Sequence, residues 1–249
     1  MKRHLLIPDT QVRKGVDTKH LDWAARAIVE YRPDVVVVIG DHWDMPSLST
    51  HSPPGSEEME NLRYKADVQA GNDAFVKLCK PMQAVMRRDR KWKPRCVFTF
   101  GNHEHRITRA VTKEPRLTGA YALEHLNTQH FERYGFLEIV NIDGISYSHY
   151  FANMLSGRPI GGTIANRLNK IGRSFVCGHE QGMQYGTVQY PGNIRRHGLV
   201  AGSFYSHVEN YRGAQGRDEW RGIVVLNEVH KGDYCVMPLT MDYLKRKFS

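Results

Sequence analysis

Residues 35–39, Val-Val-Val-Val-Ile, constrain this chain more than any other stretch. β-branched side chains lose rotamer freedom in a helix and pack well on a pleated surface. A run with no polar alternation has no face to offer water, so it reads as a strand buried on both sides, as in parallel sheets covered by helices. It ends at Gly40-Asp41-His42-Trp43-Asp44, and α/β sheets place their ligands beyond the carboxyl ends of such strands. A second apolar run, 96–100 (CVFTF), ends in the same manner at Gly101-Asn102-His103-Glu104.

Neighbouring stretches fit the same architecture. Residues 3–8 read as a first strand ending at Asp9-Thr10-Gln11. Asp17 or Thr18 can cap a helix over 19–31, where Leu21, Ala24, Ala25 and Ile28 keep helical spacing and Pro33 stops it. Strand, helix and strand make a βαβ unit. After a proline-bearing loop at 45–55, Ser56 is expected to cap a long helical stretch, with Glu57 and Glu58 at its positive end. Phe75, Leu78, Met82, Val85 and Met86 form its apolar stripe, and Gly71 and Pro81 are expected to kink or divide it.

Helices are also expected at 103–113 and 117–126, and a short one at 162–171. Residues 137–140 and 145–149 alternate around an Asp143-Gly144 hairpin turn. A short strand at 174–177 ends at Gly178-His179-Glu180-Gln181, and 184–190, 199–201, 222–229 and 234–239 alternate like strands. The early α/β order and strand-rich later order predict class α/β, with two packed sheets and helices outside, and residues 1–249 as one domain.

Composition bounds the function. The chain is 41% hydrophobic and 24% charged, ordinary for a soluble globular protein. The N-terminal apolar run is only Leu5-Leu6-Ile7, too short for a signal-peptide core, and no stretch could span a membrane. A cytoplasmic location and no membrane partner are expected. Cys79, Cys96, Cys177 and Cys235 make no C-x-x-C pair and read as small buried thiols in a reducing compartment. The net charge of +9 suits anionic partners such as nucleic acid or phosphorylated molecules. The basic run 87–95 precedes its strand, which puts it on the side away from the segments that follow strands.

Five segments end predicted strands: Asp9-Thr10-Gln11, Gly40-Asp41-His42-Trp43-Asp44, Gly101-Asn102-His103-Glu104, His149, and Gly178-His179-Glu180-Gln181. In this order they resemble the calcineurin-like metallophosphoesterases, whose pattern is D-x-H, G-D-x-x-D, G-N-H-E/D, H and G-H-x-H. The tail, including Trp220-Arg221-Gly222-Ile223, resembles that of small members carried by bacteriophages, which would make the compartment a host cytoplasm.

The resemblance implies a four-layer α/β/β/α sandwich of two mixed sheets flanked by helices. It implies that Asp41 bridges two divalent ions, that Asn102, His149 and His179 complete the second, and that Asp9 ligates the first. His103 would protonate the leaving oxygen, with Asp44 holding its ring. Two positions depart from the pattern: Gln11 and Gln181 stand where the family has histidines serving the first ion. Either that site is weak or empty, or both glutamines bind through their amide oxygens, which favours Mn²⁺, with Mg²⁺, Fe²⁺ or Zn²⁺ also compatible.

Arg106 and His42 are the substrate-facing candidates, and His51 and His207 could reach in from loops. Glu104 is expected to orient the GNHE loop, and Trp43 to pack. The implied activity is hydrolysis of a phosphoester, monoester or diester, by metal-activated hydroxide with His103 as general acid. A nuclease or nucleotide phosphodiesterase is the alternative among enzymes, and a metal-poor binding scaffold the alternative of another class. Met45 and Pro46 follow G-D-x-x-D where protein Ser/Thr phosphatases carry Arg, which weighs against a protein phosphatase. The oligomeric state is left open.

Overall fold

The computed structural model describes residues 1–50, 59–208 and 219–249. In chain order the strands are β1 (Lys2–Ile7), β2 (Val35–Val38), β3 (Arg95–Thr99), β4 (Glu132–Tyr134), β5 (Val140–Ile142), β6 (Ile145–Tyr147), β7 (Phe175–Cys177), β8 (Met183–Tyr190), β9 (Ile194–Ala201), β10 (Gly222–His230) and β11 (Asp233–Thr240). The helices are α1 (Lys19–Tyr31), α2 (Tyr64–Arg88), α3 (His105–Lys113), α4 (Ile164–Ile171) and α5 (Met241–Phe248). One sheet has the order β11-β10-β1-β2-β3-β4, the other β5-β6-β7-β9-β8. Strands β1 to β4 run parallel, as do β6, β7 and β9, and the remaining pairings are antiparallel.

The period-two alternation of strand side chains sorts the core into three layers. Leu5, Ile7, Val36, Val38, Phe98 and Val225 pack with α1, α2 and α5. Leu6, Val35, Val37, Val97 and Val224 point the other way and meet Ile142, Tyr147, Val176 and Leu199 of the second sheet. On the far face of that sheet, Phe175, Cys177 and Val200 pack on Ile164 and Leu168 of α4. The result is the expected helix–sheet–sheet–helix sandwich. The Val35–Val38 run is buried on both faces because its valines alternate between two of these layers. Burial of each is worth about 1.5–3 kcal/mol.

Several expectations need correction. Ser56, Glu57, Glu58 and His51 lie outside the described residues. Gly71 and Pro81 do not divide α2, which is continuous from Tyr64 to Arg88. Leu78, Cys79 and Met82 are buried on either side of Pro81, and that packing carries the helix through. Gly71 serves a close approach instead: a Cβ there would lie 1.9 Å from the Trp43 ring. The 117–126 stretch is not an α-helix but two 3₁₀ turns, Pro115–Leu117 and Leu123–His125, with Gly119 at φ +81° between them. Helix α3 starts at His105, leaving His103 and Glu104 on the preceding turn. Strand β4 and helix α5 were not anticipated. Cys235 is exposed, contrary to expectation, whereas Cys79 and Cys177 are buried, and all four thiols are free. Among the described residues no helix is long and apolar enough to cross a membrane.

Candidate metal centre

The parallel strands of both sheets release their chains toward one place. Beyond β1 comes Asp9, beyond β2 Asp41, beyond β3 Asn102 and His103, beyond β6 His149, and beyond β7 His179. Hydrogen bonds between the sheets and within the second one lock this convergence. His149 Nδ1 donates to Ile39 O at 2.7 Å, and the His179 N–H donates to Asp9 Oδ1 at 3.2 Å. Gly178 N donates to His149 O at 3.0 Å. The loops are tight: a Cβ on Gly40 would lie 2.6 Å from Gly101 N, and one on Gly101 would lie 2.1 Å from Asp41 Oδ1. Gln11, Asp41, Met45, His179 and Gln181 all sit at positive φ, from 40° to 68°. Each such non-glycine residue costs on the order of 1–3 kcal/mol, which the surrounding framework must sustain.

One group is a ready set of cation donors. Ligand atoms of Asp41, His149 and His179 lie within 4.8 Å of one another. Asn102 Oδ1 sits 3.0 Å from His149 Nε2 and 2.9 Å from His179 Nδ1. Asp41 Oδ2 is 3.3 Å from His149 Nε2. With the His149 Nδ1 proton given to Ile39 O, its Nε2 is the nitrogen turned inward. The electrostatics are strongly coupled. Burial pushes the Asp41 carboxyl up, but His103 and His149 hold it well below the usual carboxylate range. Burial lowers His149, yet the charge of Asp41 lifts it to about 10. Burial and His149 bring His179 down to about 4. Two nitrogens and two oxygens converging in a buried, anionic place fit a divalent cation.

The other half of the site is built differently. Asp9 is fully buried; burial, with Asp41 adding to it, raises its carboxyl to about 7, and its Oδ2 has no hydrogen-bond partner. Gln11 is 1% exposed, and neither its amide oxygen nor its amide nitrogen has a partner. Such orphaned buried polar atoms are rare and point to a ligand that completes them. Gln181 differs: the Tyr205 hydroxyl donates to its Oε1 at 2.5 Å. Tyr205 is in turn covered by Arg221, 4.3 Å from its ring, and the Arg221 guanidinium donates to Tyr205 O at 2.8 Å. Of the residues expected around a first ion, Asp9 and Gln11 thus keep unpartnered buried atoms, while the Gln181 amide oxygen already accepts one hydrogen bond and keeps a second lone pair. Neither Tyr205 nor Arg221 was anticipated.

Beside the cluster stands a histidine with a carboxylate behind it. His103 Nδ1 donates to Asp44 Oδ1 at 2.8 Å, and Arg13 donates to the other oxygen, Oδ2, at 2.7 Å. His103 Nε2 lies 3.7 Å from Asp41 Oδ2. Burial works to lower the His103 pKa, but Asp41 and Asp44 outweigh it and raise it. Arg13 was missed in the sequence; it reaches Asp44 across 31 residues, and no local pattern marks it.

Glu104 does more than expected. Its carboxylate accepts backbone N–H bonds from Gly101 (2.8 Å), Asp41 (3.0 Å), His42 (2.7 Å) and Trp43 (3.0 Å), joining the GNHE loop to the GD loop. Trp43 is fully buried, as expected.

One of the substrate-facing expectations changes. His42 is not in the pocket: it is fully buried, bonded to Thr10 Oγ1 at 2.7 Å and Gly71 O at 3.0 Å, and packed against Trp43 and Phe75. The left-handed turn at Asp41 sends the next side chain toward α2. Arg106 is beside the site, with one guanidinium nitrogen 3.2 Å from His103 Nε2, but NH1 is committed to Asp44 O at 2.9 Å and Met45 O at 3.3 Å. A two-nitrogen grip that uses NH1 would have to break those bonds. His207 stacks on Tyr205 at 4.6 Å.

No known family's sequence pattern matches the chain. No curated protein matches it by sequence. Among solved structures, the crystal structure of Chaetomium thermophilum Vps29 is similar, with a TM-score of 0.42 and 8% identity, over 96% of this chain and 98% of that one.

Proposed function

We propose that the chain is a metal-dependent phosphoester hydrolase of the calcineurin-like metallophosphoesterase type. The observation that carries this reading is the pairing of a buried Asp41–Asn102–His149–His179 donor set with His103, whose Nε2 lies 3.7 Å from Asp41 and whose Nδ1 is held by Asp44.

Asp41, Asn102, His149 and His179 would hold one divalent cation, and Asp9 and Gln11 would share Asp41 to hold another. Bound cations supply Lewis acidity: they neutralise phosphoryl charge and make water a competent nucleophile near neutral pH. The mixed nitrogen and oxygen donors, with an oxygen-rich first position, suit Mn²⁺. His103, with both ring nitrogens protonated, would donate the Nε2 proton to the leaving oxygen once the Arg106 nitrogen 3.2 Å from Nε2 has turned to the phosphoryl group. Asp44 fixes the tautomer and stabilises the protonated ring, and Arg13 keeps Asp44 ionised and oriented. The Arg106 nitrogen beside His103 Nε2 can meet a phosphoryl oxygen while NH1 stays on the backbone.

A binding scaffold would need the donor set or the loop framework, but not a histidine aligned by a carboxylate and an arginine. Turnover of p-nitrophenyl phosphate and bis-p-nitrophenyl phosphate with Mn²⁺ tests the reading. His103→Ala should reduce turnover by about 10²–10⁴-fold while metal content stays unchanged. Undiminished turnover would remove His103 from the mechanism, and no turnover of any ester by the metal-loaded protein would refute the hydrolase.

A further inference from the structure

An aromatic ledge leads away from the donor set. The Tyr150 ring lies 4.8 Å from that of His179, Phe136 lies 5.5 Å from Tyr150, and His105 stacks on Phe136 at 4.6 Å and 24°. These rings come from three separate segments: the residue after His149, the turn between β4 and β5, and the first residue of α3. All are half-buried, unlike the core aromatics Trp43, Phe75 and Phe98, which are at most 2% exposed. Ile139, three residues along the chain from Phe136, is 55% exposed, and the exposed Arg109 stands one turn along α3 from His105, its guanidinium donating to Thr50 Oγ1 at 3.3 Å.

Partly exposed rings in series, starting against a histidine of the donor set and bordered by an arginine, have the character of a stacking platform. Every nucleobase has a π-face, and single strands are bound by such rings together with cationic groups that follow the backbone. A paired base is already stacked within its duplex and cannot lie on the ledge. The charge of +9 matches a polyanion.

We infer that the ledge His105–Phe136–Tyr150 stacks unpaired bases next to the scissile phosphate, so that the substrate class is single-stranded nucleic acid. The scissile bond in this statement rests on the hydrolase reading above; the stacking itself does not.

Fluorescence anisotropy with the full chain and Mn²⁺ tests it, using a labelled oligothymidylate of about twelve nucleotides and an abasic oligomer of equal length. The wild type should bind the oligothymidylate about tenfold more tightly. Phe136→Ala and Tyr150→Ala should erase the difference, and Tyr150→Phe, which keeps the ring, should retain it. Equal affinity for both oligomers, or a preference that survives both alanine variants, would overturn the inference. The same preparations are assayed on bis-p-nitrophenyl phosphate. Ester turnover without base preference sinks the ledge alone; base preference without any turnover sinks the hydrolase and leaves the ledge as a binding surface.

Discussion

The two sides of the centre solve one problem in opposite ways. On the His149 side the donors lean on each other: Asn102 Oδ1 is 3.0 Å or less from both histidine nitrogens, and His149 is oriented by a backbone carbonyl of the other sheet. On the Gln11 side the donors touch little: Gln11 has two orphaned amide atoms and Asp9 one orphaned oxygen, while Gln181 is held by Tyr205. Donors held in place by neighbours, the Asn102 amide oxygen among them, would retain a cation better than donors with nothing behind them. Metal affinity would then be set by what stands behind each ligand as much as by the ligand itself.

The comparison can be broken first at the residue common to both sides. Asp41→Asn should lower turnover by at least about 10³-fold and empty both positions, as metal analysis after dialysis would reveal. If only one position empties, Asp41 is not shared. Next comes the framework under both loops. Glu104→Gln should cost about 2–4 kcal/mol in denaturant unfolding, because four backbone N–H groups lose a charged acceptor and one or more meet an amide N–H₂. A loss below about 1 kcal/mol would show that the loops hold themselves.

The contrast between sides can also be reversed. Gln11→His should raise Zn²⁺ affinity of the weaker position by about tenfold in calorimetry, leaving the stronger one unchanged. The smallest effect lies away from the centre, at the Asp143 turn. Burial raises the Asp143 carboxyl, but Lys2 and His4 outweigh it and hold its folded pKa below the ordinary carboxylate value. Its stabilisation is therefore complete above the unfolded value and lost as pH falls through the folded one. Asp143→Asn should cost less than about 1 kcal/mol near pH 7 and almost nothing near pH 2, by thermal unfolding at the two conditions.

What was legible in the sequence was periodic or local. The valines of β2 declared a doubly buried strand, and each polar segment of the centre follows an apolar strand of its own sheet. The roles of Glu104 and Trp43 could be read because a carboxylate or a large ring within a tight loop has few places to go. Long-range partners could not be read: Arg13 reaches Asp44 across 31 residues and Tyr205 reaches Gln181 across 24, with no spacing rule linking either pair. His42 misled because its side-chain direction depends on the left-handed backbone at Asp41. The 117–126 stretch has helical spacing, but Gly119 turns it. Helix α5 had signals that went unused: Thr240 caps it through Tyr243 N at 3.2 Å, and Leu244 and Phe248 keep i, i+4 spacing.

On this reading two unequal cation positions share Asp41. Calorimetric titration of metal-free protein with Mn²⁺ tests it most directly, run on the wild type, His149→Ala and Gln11→Ala. The wild type should show a tight and a weak class of binding, the tight class lost in His149→Ala and only the weak class lost in Gln11→Ala. Two equally tight ions, such as two stoichiometric zinc ions that survive dialysis, or binding indifferent to both substitutions, would contradict it.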